Sequence, residues 1–464
     1  MLGLAHLYKY HKTALLFILL SSIFYLSFAY DLVRTESTKL LLLYVALFVF
    51  AFQIIKTTGF YFRLLVLSAI LFRVLFLFAI PNLSQDFYRF IWDGRMILEG
   101  LNPYLYTPDS FITNGKFPIT QAQELYKGMG TLSASHFTNY PPLKQLYFFI
   151  VALFSGKSIL GSVIILRLVI ITADIGTLYF GKKLLERLKL PSNRIFWYIL
   201  NPFIIIELTG NLHFEGVMIF FLVWSLYLLH SGKWKRAAVV LACSISVKLI
   251  PLMFLPLFFG WFTSTSLSNQ ADKTKKWFPA FAGMKRLISF YAIVGITTLL
   301  LFLPLFSMEL IYNYSHTIGL WFGKFEFNAS IYYLLREIGF TITGYNEIAS
   351  IGKVLPIISL LIILGFSFFR KNNTIPKLTI SILLAFTCYL FLSTTVHPWY
   401  ITTIVLLCIF TNSKFPLVWS FMVVLSYLAY TNTSNTENLW IIGLEYIIVF
   451  TVFIWDVFIQ KRKG

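Results

Sequence analysis

Long apolar runs alternate with short polar linkers along this chain, and the runs are apolar on every side. They lie near 13–30, 39–55, 62–80, 159–181, 195–209, 214–231, 288–306, 354–369, 376–395, 398–411, 416–430 and 438–458. Most approach or exceed the ~17–20 residues that span lipid. Inside lipid every backbone polar group needs an internal partner, so the runs are expected to be helices. A transmembrane barrel would alternate apolar and polar residues instead. The expected fold is all-α: a polytopic bundle of about 11–13 membrane helices, forming a single integral membrane domain over residues 1–464.

Two stretches fit poorly as single crossings. Residues 143–155 are few and follow Pro141-Pro142, which predicts a re-entrant or surface-lying segment. Residues 237–261 contain Lys248, Pro251 and Pro256, which predicts a broken hairpin with Lys248 near its tip. Such breaks at membrane depth are tolerated only inside protein or along a polar cavity. The first run, 13–30, is longer than a usual signal-peptide core and lacks a clear small-x-small cleavage site, so it is expected to stay as a membrane helix.

Composition agrees. The chain is 58% hydrophobic and 12% charged, with a mean hydropathy of +0.77, against about 25% charged residues in soluble domains. The net charge of +19 would fit a nucleic-acid partner if it were concentrated in one patch. It sits instead in linkers: Lys182, Lys183, Arg187, Lys189 and Arg194; Lys233, Lys235 and Arg236; Lys273, Lys275, Lys276, Lys285 and Arg286; Arg370, Lys371 and Lys377; Lys461, Arg462 and Lys463. That is the positive-inside pattern, and no nucleic-acid partner is expected. Residues 81–144, with five Lys/Arg and five Asp/Glu, lack the excess and are expected to form an extracytoplasmic loop. Residues 262–286 are expected to be a cytoplasmic linker. Cys243, Cys388 and Cys408 lie in apolar runs and read as small core residues rather than metal ligands.

The chemistry-bearing residues gather in the linkers expected to face outward. Residues 85–98 predict an amphipathic helix along the membrane surface, with Asp86, Arg89 and Asp93 on one side at ~100° per residue and Arg95 roughly opposite. Arg89 and Asp93 are spaced to pair. Asp86 starts that helix at the lipid–water boundary, where a carboxylate can act as a general base. Gly100-Leu101-Asn102-Pro103-Tyr104 reads as the turn that ends the helix, and Tyr140-Pro141-Pro142-Leu143-Lys144 as the start of the next. Glu207, His213 and Glu215 lie within one short segment, without a strong metal-ligand spacing. Lys248 reads either as a snorkelling cation or as a neutraliser of phosphate. His397-Pro398-Trp399-Tyr400 reads either as part of an aromatic belt or as part of a site. The aromatics of 307–340 suit sugar stacking or lipid equally. Arg73, Arg167, Asp174, Glu445 and Asp456 fall inside apolar runs and are expected to pair within the bundle.

With Asp86 early in the first large loop, Asp93-Gly94-Arg95, Gly100-x-Asn102-Pro103-Tyr104, Tyr140-Pro141-Pro142-Leu143, Lys248-x-x-Pro251 and His397-Pro398-Trp399-Tyr400, the sequence resembles the polytopic GT-C glycosyltransferases. The likeness is greatest to polyprenol-phosphate-mannose-dependent mannosyltransferases. One difference is that Asp86 is followed by Phe87, the next acid being Asp93. The resemblance implies inverting transfer of a hexose, mannose above all, from a polyprenyl-phosphate-sugar to a glycan or glycolipid acceptor. It implies a multi-pass protein of a bacterial inner membrane whose site faces away from the cytoplasm. No cofactor and no metal are expected. The roles it implies are Asp86 as base, Arg95 and Lys248 on the donor phosphate, and Arg89, Asp93, Tyr140, His213, Glu215, His397 and Trp399 on sugar or acceptor. The alternatives are a transporter or flippase of lipid-linked saccharides, and a glycan polymerase or ligase. A transporter would favour repeated halves; a polymerase would carry its largest loop late in the chain. No repeat is evident, and the large loop is early.

Overall fold

In a computed structural model, residues 4–58, 61–265, 278–432 and 435–459 are described. Among them the chain is a helical bundle, and the extended pairing is an isolated bridge between Phe327 and Thr395. Seven of the described helices are long and apolar enough to cross a membrane: His11–Tyr30, Ser37–Thr57, Ile159–Arg187, Ala282–Leu305, Ile348–Phe368, Ile375–Leu392 and Leu439–Ile459. The protein is a polytopic integral membrane protein.

The other apolar runs are helical but short or broken, and prolines and burial explain why. Run 62–80 gives the helix Phe62–Val74 and then turns. Run 195–209 passes Pro202 and becomes a π-helix over Ile205–Gly210, which meets Glu215–His230 at a bend of 114°. Runs 398–411 and 416–430 start at Pro398 and Pro416 and divide into helical pieces, Thr402–Cys408 being buried throughout. A helix buried in protein on all sides can be apolar all round without facing lipid.

Two further segments singled out in the sequence take the following forms. Residues 143–155 are a regular helix, Pro142–Ser155, packed against Asp86–Leu98 and Ile159–Arg187. Of the expected linker 262–286, residues 262–265 end one helix and 278–286 begin another; the remainder lies outside the described residues. The expected break at Lys248 is present. The helix Trp234–Val247 stops there, Lys248 is extended (φ −154°, ψ 137°), and a 3₁₀ stretch follows over Ile250–Leu257.

Charges inside the apolar runs are hydrogen-bonded, Arg73 and Asp174 as an ion pair, as their desolvation demands. Arg73 Nε donates to Asp174 Oδ2 at 2.7 Å and its Nη1 to the carbonyls of Ile199 and Ala69 at 2.8 and 3.0 Å. Arg167 donates to the carbonyls of Thr209, Gly210 and Leu77 at 2.8, 3.1 and 3.0 Å. Two of these are carbonyls at the end of the π-helix, which a regular helix continuation would have used. Glu445 accepts from Trp419 Nε1 and Asn328 Nδ2 at 3.0 and 3.2 Å. Asp456 Oδ2 accepts from the backbone N–H of Phe415 at 2.7 Å, capping the helix Phe415–Met422.

Candidate active site

The helix Asp86–Leu98 is covered by other parts of the protein: Phe87 and Arg89 through Met96 are all buried. It is seated against Pro142–Ser155 through Gly94, whose absent side chain lets the Phe148 backbone approach. Arg89 Nε donates to Asp93 Oδ1 at 2.8 Å, its Nη1 donates to the Ser133 and His136 carbonyls at 2.7 and 3.0 Å, and Gln145 Nε2 donates to Asp93 Oδ2 at 2.9 Å. Gly100 (φ 75°) ends the helix, with Leu101 N–H donating to the Met96 carbonyl at 2.8 Å. The Asn102-Pro103-Tyr104 turn then fastens the loop. Asn102 Nδ2 donates to the Leu305 carbonyl at 2.8 Å, and Tyr104 OH donates to the Tyr140 carbonyl at 2.5 Å.

This framework presents Asp86 in the first turn, where the helix dipole favours a carboxylate. Asp86 keeps partial solvent access among closely packed neighbours. Burial raises its pKa above the usual carboxylate range, and Glu215 adds to that, while Lys144, Lys248 and Arg34 oppose it. Four charged groups from four other segments thus act electrostatically on Asp86.

Each is held differently. Lys248 pairs with Glu215 and lies 4.4 Å over the Tyr400 ring. Lys144 has its ammonium 4.0 Å from the Tyr140 ring centroid and 4.3 Å from that of Phe90. Among the described residues it makes no ion pair. Arg34 stands 3.2 Å over the Tyr430 ring.

His213 and Glu215 reach the space because of the 114° bend. Leu212 takes a left-handed backbone there (φ 62°) although it is not glycine. That costs on the order of 1–2 kcal/mol, and full burial of the Leu212 side chain holds it. Behind His213, Glu207 is fixed by Tyr427 OH at 2.7 Å and Asn211 Nδ2 at 3.4 Å. The His213 ring stacks on Trp399 at 3.8 Å, and His397 stacks on the other face at 4.5 Å. Phe327 continues the row at 5.3 Å from His397, and Tyr430 lies 5.9 Å from Phe327. Backbone bonds between Phe327 and residues 394 and 396 bring that outer segment to His397. Burial, then Lys248 and Arg34, push the His397 pKa down to about 3, so it stays a neutral hydrogen-bonding group.

The structure thus brings together Asp86, Tyr140, His213, Glu215, Lys248, His397 and Trp399. It does not bring in three others. Arg95 projects from the opposite side of the helix and donates to the Thr120 carbonyl at 2.7 Å and Gln121 Oε1 at 3.1 Å, so it does not stand with Lys248. Arg89 and Asp93 are buried and bonded to each other and to the loop, which makes them framework rather than sugar contacts. Trp399, expected against the donor, has both faces covered by histidines. Sequence reasoning assigned no role to Arg34, Lys144, Tyr400 or Tyr430. For Lys144 the signal was present, as the one cation directly after Tyr140-Pro141-Pro142; for Arg34 it was a lone arginine between the first two apolar runs.

Residues 19–265 match a family model described as Alpha-(1->6)-mannopyranosyltransferase, N-terminal domain. That stretch contains Arg34, Asp86, Lys144, His213, Glu215 and Lys248. The chain is 22% identical to Alpha-(1->6)-mannopyranosyltransferase A of Mycobacterium tuberculosis over 186 residues, covering 40% of this chain and 34% of the relative. It is 22% identical to the protein of the same name from Corynebacterium glutamicum over 218 residues, covering 44% of this chain and 41% of the relative. The matches thus span between a third and two fifths of the length of these relatives.

Proposed function

The chain belongs to the alpha-(1->6)-mannopyranosyltransferase family, and on that premise we propose that it is a membrane glycosyltransferase that moves a mannosyl group from a polyprenyl-phosphate-mannose donor to a glycan or glycolipid acceptor. The acceptor hydroxyl oxygen bonds to the anomeric carbon from the face opposite the phosphate, inverting that centre. Its proton passes to Asp86. The anomeric carbon–oxygen bond to phosphate breaks and its electron pair stays on the phosphate. Lys144 and Lys248 stabilise that charge, where fixed cations act most strongly. Glu215 orients Lys248, and the edges of His213 and His397 receive sugar or acceptor hydroxyls. A phosphate leaving group needs no proton at neutral pH, so one carboxylate suffices. The site faces away from the cytoplasm of a bacterial plasma membrane, in keeping with the balanced charge of residues 81–144 beside basic linkers elsewhere.

The observation that supports the reading is a partly exposed carboxylate, Asp86, at the start of a buried helix, with Lys144 and Lys248 acting on it electrostatically. General-base and phosphate-binding groups must serve one substrate together for direct displacement. The family match supports mannose. The test is purified protein in lipid, offered mannose on polyprenyl phosphate, glucose on polyprenyl phosphate, or a nucleotide-linked mannose, with a mannan acceptor. Transfer from the first is expected. Transfer only from the nucleotide sugar removes the donor assignment.

A further inference from the structure

Lys248 is neutralised by Glu215, and Arg89 by Asp93. Arg34 is different. Among the described residues no carboxylate lies within ion-pair distance of it, and its Nε, itself out of solvent, has no hydrogen-bond partner. The charge is nevertheless held in place. The guanidinium lies 3.2 Å over the Tyr430 ring, and a planar cation on an aromatic face is both stabilised and oriented. Its loop is hydrogen-bonded at both ends: Val33 N–H donates to Glu36 Oε2 at 3.0 Å, Lys39 pairs with Asp31 at 2.8 Å, and Asn82 Nδ2 donates to the carbonyls of Phe28 and Leu32 at 2.7 and 3.1 Å. Asn82 also leads into the Asp86 helix, so the loop and the base are tied together. Arg34 acts electrostatically on both Asp86 and His397. A half-buried guanidinium held flat on a ring, without an ion-pair partner among the described residues, is ready to receive an anion.

We propose that Arg34, from the loop between the first two helices, is an anion-binding residue of the active site that grips the lipid-linked phosphate most strongly as product. This rests on the reading of the donor as a polyprenyl phosphodiester. The donor phosphodiester carries one negative charge. When the anomeric carbon–oxygen bond breaks, the electron pair goes to phosphate and the released monoester carries about −1.5 to −2 at pH 7. The added charge forms in the transition state, and Arg34 and Lys144, which both act electrostatically on Asp86, are placed to meet it. Guanidinium pairs with two phosphate oxygens at once, which lysine cannot do.

The test uses the full chain in nanodiscs with Arg34→Gln and Arg34→Lys, reading kcat, donor KM, and binding of polyprenyl phosphate against neutral polyprenol. Arg34→Gln is expected to lower kcat on the order of a hundredfold, with a smaller change in donor KM. It should weaken polyprenyl phosphate at least tenfold and leave polyprenol unchanged. Arg34→Lys should fall between, and it answers the same question if Arg34→Gln does not fold. Wild-type kcat and polyprenyl phosphate affinity in either folded variant overturn the proposal, as does an equal loss of polyprenol binding. If the wild type transfers nothing from the polyprenyl donor, the functional reading fails, while the lipid-phosphate binding arm still reports on Arg34.

Discussion

Gly94→Ala is expected to damage stability and activity together, because Gly94 is where the helix carrying Asp86 touches the helix carrying Lys144. A methyl group there would stand 2.6 Å from the Phe148 carbonyl carbon, nearer still to its oxygen, and 3.1 Å from the Phe148 Cβ. Comfortable separations are about 3.5–4.0 Å, so the helices must part by roughly 1 Å. The opposing atoms are backbone and cannot rotate away. Overpacking of this kind costs ~1–3 kcal/mol, and the better helix propensity of alanine returns ~1 kcal/mol, leaving a net loss of up to ~2 kcal/mol. The same shift carries Lys144, and Gln145 with its bond to Asp93, away from Asp86. A displacement of about 1 Å at a reacting site lowers rates ~100-fold. The assay pairs thermal unfolding in detergent with initial transfer rates, and Gly443→Ala is the control, since nothing lies within 4 Å of a methyl there. Gly443→Ala should be neutral or slightly stabilising. An equally stable and active Gly94→Ala variant would refute the packing argument.

Other outcomes follow from the same contacts. Asp174→Ala strands the buried Arg73 and should cost on the order of 3 kcal/mol or more, with Arg73→Met added to Asp174→Leu recovering much of it; an unchanged unfolding midpoint in the single variant contradicts the pairing. The Asp86 carboxyl has a raised pKa, and in the proposed role of base it works only when ionised. Transfer should therefore fall as pH drops through an inflection above the ordinary ~3.9, and a rate that holds steady down to that ordinary range argues against it. Trp399→Leu removes the shared face between His213 and His397, stacks worth ~0.5–1.5 kcal/mol each. Acceptor KM should rise about tenfold with little change in donor KM, and a reverse pattern would mean that the stack serves the donor.

Much of the architecture was legible because lipid imposes a crude rule: apolar length means helix. Other runs, such as 398–411, give shorter apolar helices, this one buried throughout over Thr402–Cys408. Proline and the Lys248 break could be read directly, because both remove or redirect backbone bonds. The π-helix at Ile205–Gly210 could not, because it depends on Arg167 arriving from a distant helix to take the Thr209 and Gly210 carbonyls. Within the site, the clustering of Asp86, Glu215, Lys248, His213 and His397 followed from a single topology argument. The roles of Arg89, Asp93 and Arg95 did not, because periodicity gives the side of a helix and not what packs against it. Gln145 and Thr120, which engage Asp93 and Arg95, are remote in sequence. The place of Arg34 over the Tyr430 ring was not legible either, because it depends on neighbours remote in sequence.

The central claim is that Asp86 removes the proton of the acceptor in a direct displacement. Asp86→Asn keeps the side chain's size and removes the base, so the decisive measurement is its single-turnover transfer rate with donor saturating. The account predicts a loss of a thousandfold or so in a protein that elutes and melts like the wild type and still binds polyprenyl phosphate. Transfer by folded Asp86→Asn within tenfold of the wild-type rate would contradict it.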